Sequence, residues 1–144
     1  MNREYFWRNI INWYKSHKRD FPWRNTDNPY EVLVAEFLLQ QTKVNSVLSV
    51  YKNFIQKFSY VYDLAESELS EIKKTIRPLG LIYRAERMKK SAKLITDKYE
   101  GKVPNDKKLL KELPGVGDYI ADAVLCYAFA ENTVPVDTNI LRIF

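Results

Sequence analysis

Two glycines one residue apart sit inside Glu112-Leu113-Pro114-Gly115-Val116-Gly117-Asp118-Tyr119, and this block constrains the chain more than any other. A helix-like run from Asp106 to Glu112 must stop at Pro114, which cannot continue it. The glycines turn the backbone and a second helix opens at Asp118. Such a turn leaves backbone N–H groups unpaired at a helix N-terminus and aims them at one point, a geometry that binds a phosphate oxygen without side-chain charge. Only four glycines occur in 144 residues, and half of them are here. A plain connection between two helices has the same spacing. Asp137, downstream of the turn, moves the reading from a binding motif toward an enzyme.

The rest of the chain reads as helices joined by short loops. Arg3 to Lys18 carries Phe6, Trp7, Ile10, Ile11, Trp13 and Tyr14 at helical spacing. The stretch from Phe21 to Pro29 is rich in turn formers, and Pro29 opens a helix through Leu39. Further helices are predicted over Val44 to Lys57, Val61 to Ala65, Glu68 to Arg77, Arg84 to Tyr99, Asp106 to Glu112 and Asp118 to Phe129. A last one begins at Asp137 or Thr138. Pro78-Leu79-Gly80, Gly101 and Pro104 supply stops. No stretch alternates as a strand does, so the predicted fold class is all-α.

Composition narrows the function classes. A hydrophobic content of 46% supports a real core and argues against disorder. A net charge of +5 and a pI near 9.2 suit a polyanionic partner. The single cysteine, Cys126, excludes an internal disulfide and a four-cysteine metal site within the chain; its apolar neighbours predict a small core residue. His17, before Lys18 and Arg19, reads as an exposed charge at a helix end. No clustered carboxylate–histidine set predicts a metal site. No apolar run approaches a bilayer span and no signal-peptide pattern opens the chain, so the expectation is a soluble intracellular protein, cytoplasmic or nuclear.

Leu113-Pro114-Gly115-Val116-Gly117-Asp118-Tyr119, taken with Val134-Pro135-Val136-Asp137-Thr138-Asn139, resembles the helix-hairpin-helix DNA glycosylase superfamily, the endonuclease III relatives. Phe21-Pro22-Trp23-Arg24, Pro29-Tyr30 and Ala35-Glu36-Phe37-Leu38-Leu39-Gln40-Gln41-Thr42 resemble its branch of MutY-type adenine glycosylases and G/T-mismatch thymine glycosylases. The resemblance runs from about Trp13 to the last residue. It implies a six-helix barrel over residues 29–136 with the hairpin at 106–129. Residues 1–28 would be the helix and loop of a second lobe, and 137–144 the start of a truncated C-terminal helix, the C-terminal lobe lying outside the chain. The apolar ending Ile143-Phe144 strengthens the expectation of a fragment, with exposed apolar surface and little activity of its own.

Removing a base from DNA breaks an N-glycosidic bond through an oxocarbenium-like transition state. That step needs a carboxylate near the sugar and an acid for the departing base. The resemblance gives Asp137 the first role, although Asp before Thr-Asn is also a good helix N-cap. Glu36 is the candidate acid. It sits among Val32, Leu33, Val34, Ala35, Phe37, Leu38 and Leu39, where burial should hold it protonated; a satisfied structural carboxylate is the alternative. Tyr119 stands where bifunctional relatives carry a lysine, and a phenol cannot form a Schiff base, so base removal alone is expected. Tyr119 occurs in both monofunctional branches and does not choose between them.

Access requires a flipped base and a filled gap. By resemblance Gly115, Val116 and Gly117 hold the DNA backbone, Gln41 wedges into the stack, and Leu81 and Ile82 form a second, apolar wedge. The sequence departs from the MutY pattern in three ways: Leu81-Ile82 replace two tyrosines, Thr138 replaces a glycine, and Asp118 should modestly weaken the phosphate contact. Glu36 and Gln40-Gln41-Thr42 lean toward adenine opposite guanine or 8-oxoguanine; Leu81, Ile82 and Thr138 lean toward thymine opposite guanine. Family members often carry a [4Fe–4S] cluster, but its cysteines are absent here, so no cofactor is expected in this chain. The expected partner of this monomer is mismatched double-stranded DNA. A non-catalytic hairpin module clamping phosphate is the alternative, disfavoured because a clamp needs none of Glu36, Tyr119 and Asp137.

Overall fold

Side-chain caps and prolines set the helix starts. In the computed structural model, which describes residues 2–143, Asn2 accepts the Glu4 N–H at 3.0 Å and opens α1, Arg3–His17. Asn28 accepts the Tyr30 N–H at 3.0 Å, with Pro29 in the first turn, and opens α2, Pro29–Leu39. Then follow α3 (Val44–Lys57), α4 (Val61–Glu66), α5 (Leu69–Ile76) and α6 (Arg84–Tyr99). Asp106 caps α7 (Lys107–Lys111) through the Leu109 N–H at 3.0 Å, and α8 (Asp118–Phe129) and α9 (Thr138–Ile143) complete the order.

All regular elements among the described residues are helical, as the absence of alternation predicts. Differences from the predicted spans are local. The loop after Phe21 contains a 3-10 turn at Pro22–Arg24, and the helix predicted to Arg77 gives way there to a second one at Arg77–Leu79, because Pro78 cannot extend α5. Met1 and Phe144, the latter the predicted end of the last helix, lie outside the described residues.

The core is built around α2, whose residues Tyr30, Val32 to Phe37 and Leu38 are buried on every side. Helix α8 lays Ile120, Ala121 and Val124 against it, α3 packs on another flank, and α6 closes over α4 and α5. Ala35, Ala121 and Ala123 are wholly buried, small side chains that admit close helix approach. Tyr30 Oη donates to Phe58 O at 2.8 Å and ties α2 to the end of α3. Trp23, on the first 3-10 turn, is 1% exposed, stacked on Phe21 and edge-on to Tyr51.

Cys126 is only half-buried, not a core residue, because it lies off the α8 face that meets α2. His17 is exposed as predicted and stacks on Trp13. Helix α1 buries none of its residues: Tyr5, Trp7, Ile11, Trp13 and Tyr14 are all exposed, Trp13 by 61%. The expected exposed apolar surface is therefore present. No helix among the described residues is long and apolar enough to cross a membrane.

Candidate active site

A cavity of about 540 Å³ opens where the C-terminal end of α2, the first 3-10 turn, the start of α8 and the start of α9 meet. Its walls include Glu36, Gln41, Tyr119 and Asp137, so residues far apart in sequence share one space. Arg24, Gln40, Thr42 and Asn139 line it as well.

Glu36 forms the floor and is 2% exposed. Burial pushes its carboxyl above the ordinary carboxylate range, and the Arg24 guanidinium pulls the other way without cancelling the rise. Arg24 Nη2 lies 3.4 Å and Nη1 3.5 Å from Glu36 Oε1. The same guanidinium lies 3.8 Å from the centre of the Tyr127 ring, which fixes its direction. Glu36 is thus both a raised acid and a partnered carboxylate.

Tyr119 enters from the first turn of α8. Burial first, then the nearby Glu36 and Tyr127, push its phenol up to about 12, so it remains protonated at neutral pH. Asp137 accepts the Ile140 N–H on Oδ1 at 2.8 Å and the Asn139 side-chain N–H on Oδ2 at 3.2 Å. It therefore caps α9 and faces the cavity at once, and the cap fixes the direction of the carboxylate.

The hairpin lies beside this cavity. Gly115 has φ +85°, and an added Cβ would come within 2.9 Å of Arg87 Cδ and 3.1 Å of Phe37 Cε1. Gly115 O accepts Gln40 Nε2 at 3.3 Å, which ties the hairpin to the end of α2. Gly117 has ordinary φ and nothing within 4 Å of an added Cβ, so nothing in the described chain demands glycine there. The N–H groups of Gly117, the N-cap of α8, and of Asp118 and Tyr119 in its first turn have no acceptor among the described residues. Val116 differs from its predicted role: its side chain is buried and its N–H donates to Leu113 O at 3.0 Å. Asp118 does not stand as a free negative charge, because Lys111 Nζ lies at 3.0 Å and Lys107 Nζ at 3.5 Å. The Lys111 hydrogen bond holds its carboxyl below the usual range.

Gln41 is exposed at the cavity rim. Leu81 and Ile82 do not line the cavity. Both are half-buried; Ile82 packs on the core while Leu81 stands outside that packing, so of the predicted pair Leu81 is the one not committed to the core.

Residues 34–144 match the HhH-GPD superfamily base excision DNA repair protein family. The chain belongs to this superfamily. It is 38% identical to the thymine/uracil-DNA glycosylase of Methanothermobacter thermautotrophicus, over 98% of this chain and 64% of the relative. It is 37% identical to the adenine DNA glycosylase of Rattus norvegicus, over 96% of this chain and 28% of the relative. The solved structure of a thermostable thymine-DNA glycosylase aligns with a TM-score of 0.93 at 38% identity, covering 98% of this chain and 65% of that one. The chain spans less than two thirds of the length of these relatives.

Within this HhH-GPD chain, Arg24 lies inside a motif and Arg84 at a predicted helix start, and neither carried a role in the sequence. Arg24 turns out to be the ionic partner of Glu36, and the signal available was a cation adjacent to Trp23 in the chain. Arg84 is fully buried and bonds the end of α2, a tertiary relation that no local pattern announces.

Proposed function

We propose that this HhH-GPD chain carries the catalytic pocket of a monofunctional DNA glycosylase that removes thymine or uracil mispaired with guanine. The observation that supports the reading is the convergence of Glu36, Tyr119 and Asp137 on one cavity beside a hairpin with unpaired amides. A phosphate clamp alone needs no such convergence.

The duplex backbone docks on the amides of Gly117, Asp118 and Tyr119, with Lys107 and Lys111 balancing the Asp118 charge. The target nucleotide leaves the stack and its base enters the cavity; Gln41 and Leu81 fill the space left behind. As the C1′–N bond breaks, its electron pair departs with the base and positive charge develops on the sugar. Asp137, held by the α9 cap, faces that charge and orients a water toward C1′, and its carboxylate takes the proton the water loses as the C1′–O bond forms. Glu36 donates a proton or hydrogen bond to the departing base, and Arg24 supports its carboxylate afterwards. Tyr119 is a neutral hydrogen-bonding wall, not a nucleophile. The products are a free base and an abasic sugar in an uncut strand.

Leu81, Ile82 and Thr138 favour the pyrimidine reading, and the thymine/uracil relative is consistent with it. Removal of adenine opposite guanine or 8-oxoguanine is the second reading, favoured by the raised acid at Glu36. The protein acts as a monomer on mismatched duplex, and Cys126 alone cannot supply a four-cysteine cluster. Duplexes carrying T·G, U·G, A·G and A·8-oxoguanine pairs, assayed for alkali-labile sites, test the proposal. Strand breaks after alkali at T·G and U·G are expected. Faster release of adenine would establish the second reading, and binding without release at any pair would leave only a DNA-binding module.

A further inference from the structure

Arg84 opens α6, yet the acceptors of its side chain lie on two other segments. Nη1 donates to the carbonyl oxygens of Phe37 at 3.3 Å, Leu38 at 2.7 Å and Gln40 at 3.0 Å, and to Thr42 Oγ1 at 2.9 Å. Nη2 donates to Leu79 O at 3.3 Å and Gly80 O at 3.2 Å, and Nε to Leu81 O at 3.4 Å. The residue is 0% exposed, and these acceptors include no carboxylate. Phe37 and Leu38 belong to the last turn of α2, whose carbonyls lack helical partners, and a cation there meets the negative end of the helix dipole. Burying a charge is expensive, and an apolar side chain would fill the same volume.

Backbone conformation shows what the fork holds. Among the described residues, four non-glycine residues have positive φ: Gln41 (51°), Leu81 (48°), Glu100 (54°) and Ala130 (53°). Glu100 and Ala130 end α6 and α8, an ordinary place for left-handed backbone. Gln41 lies between Gln40 and Thr42, both bonded to Arg84, and Leu81 follows Gly80 and is bonded itself. Left-handed backbone at such residues persists only where the surroundings over-determine it. Here one guanidinium bonds both turns, alongside local bonds such as Thr42 Oγ1 to Gln40 O at 3.0 Å and the Arg84 N–H to Leu81 O at 3.1 Å.

We propose that Arg84 is a positioning residue that sets both turns, so that Gln41 and Leu81 enter the DNA stack as a coupled pair. The proposal rests on the reading of these two residues as wedges and needs no base release. A lysine cannot replace the arginine, since an ammonium is a point charge without the planar fork that reaches both segments.

The test uses the 144-residue chain and a T·G duplex with 2-aminopurine beside the mispair, whose fluorescence rises on unstacking, read at saturating protein. The parent gives a rise; Gln41→Ala and Leu81→Ala each reduce it. The double variant departs from the product of the two losses by about threefold or more, as coupled residues do. In Arg84→Lys with a cooperative melt, the rise falls and the two losses multiply independently. Should Arg84→Lys not fold, Thr42→Val keeps the guanidinium buried while removing its hydroxyl acceptor together with the Thr42 bond to Gln40 O. Thr42→Ser, which keeps both bonds, serves as the control, and the same cycle shows coupling weakened in the first and kept in the second. Undiminished coupling in Arg84→Lys, or in Thr42→Val where the first is unfolded, overturns the proposal while the wedges stand. No rise with the parent, or no loss with Gln41→Ala and Leu81→Ala, overturns the wedge reading and the proposal together.

Discussion

Replacing Arg24 by Met removes the only cation paired with buried Glu36 among the described residues, and the cost should depend on pH in a fixed direction. At 3.4 Å the pair is worth at most about 5 kcal/mol in an effective dielectric of about 20. Arg24 is 28% exposed, so water screens the pair and about 2 kcal/mol is the expected net loss, with about 0.5–1 kcal/mol more from the contact over Tyr127. Glu36 has an escape, since burial already favours its protonated form. A carboxyl raised in the folded state contributes stability that is present below its ordinary value and lost as pH rises through the folded value. Arg24→Met raises it further, so parent and variant should differ little near about pH 4 and by the full amount near about pH 8. Urea melts at the two pH values measure this, and in a Glu36→Gln background the pH dependence should vanish. Equal destabilisation at both pH values, or a larger effect at the acidic one, would show that Arg24 does not support an ionised Glu36.

The two hairpin glycines should separate stability from binding. Gly115→Ala places a Cβ against Arg87 and Phe37 at positive φ and should cost about 1–3 kcal/mol in a melt. Gly117→Ala meets nothing within the chain, so its melt should change by under about 0.5 kcal/mol. A Cβ in the open space beside the amides should hold a phosphate off and lower duplex affinity about tenfold, roughly one charge-assisted hydrogen bond; unchanged affinity would remove phosphate from that site. Tyr119→Lys puts an amine on the cavity wall, and borohydride should then trap a covalent adduct with mispaired duplex. No adduct from a folded, DNA-binding variant would mean that position 119 does not face the sugar.

How much was legible in the sequence depends on how local each cause is. Pro29, Asp106 and Pro78 act on the backbone within a turn, which is why the helix limits were readable. Glu36 was readable for the same reason, since its apolar neighbours are adjacent in sequence. Arg24 as its partner was not, because the 3-10 turn that delivers the guanidinium is a tertiary arrangement over Trp23. Asp118 was read as a repulsive charge because Lys107 and Lys111 approach it only once the hairpin has turned back. Leu81 and Ile82 look equivalent as adjacent apolar residues, and only packing separates them. The alternatives for Asp137, cap or site, do not exclude each other, since the same carboxylate caps α9 and lines the cavity.

The most direct test of the account is single-turnover base release from T·G and U·G duplexes by the chain and by Asp137→Asn. Asparagine still accepts the Ile140 N–H, so the cap and the fold survive while the negative charge is lost. The account predicts slow but measurable abasic-site formation by the parent under single-turnover conditions with protein in excess, in keeping with the little activity expected of this chain. It also predicts unchanged duplex affinity in the variant and a rate lower by about a hundredfold or more, the usual loss when an electrostatic stabiliser of the transition state is removed. Release at the parent rate by Asp137→Asn would contradict it and leave Asp137 as a helix cap alone.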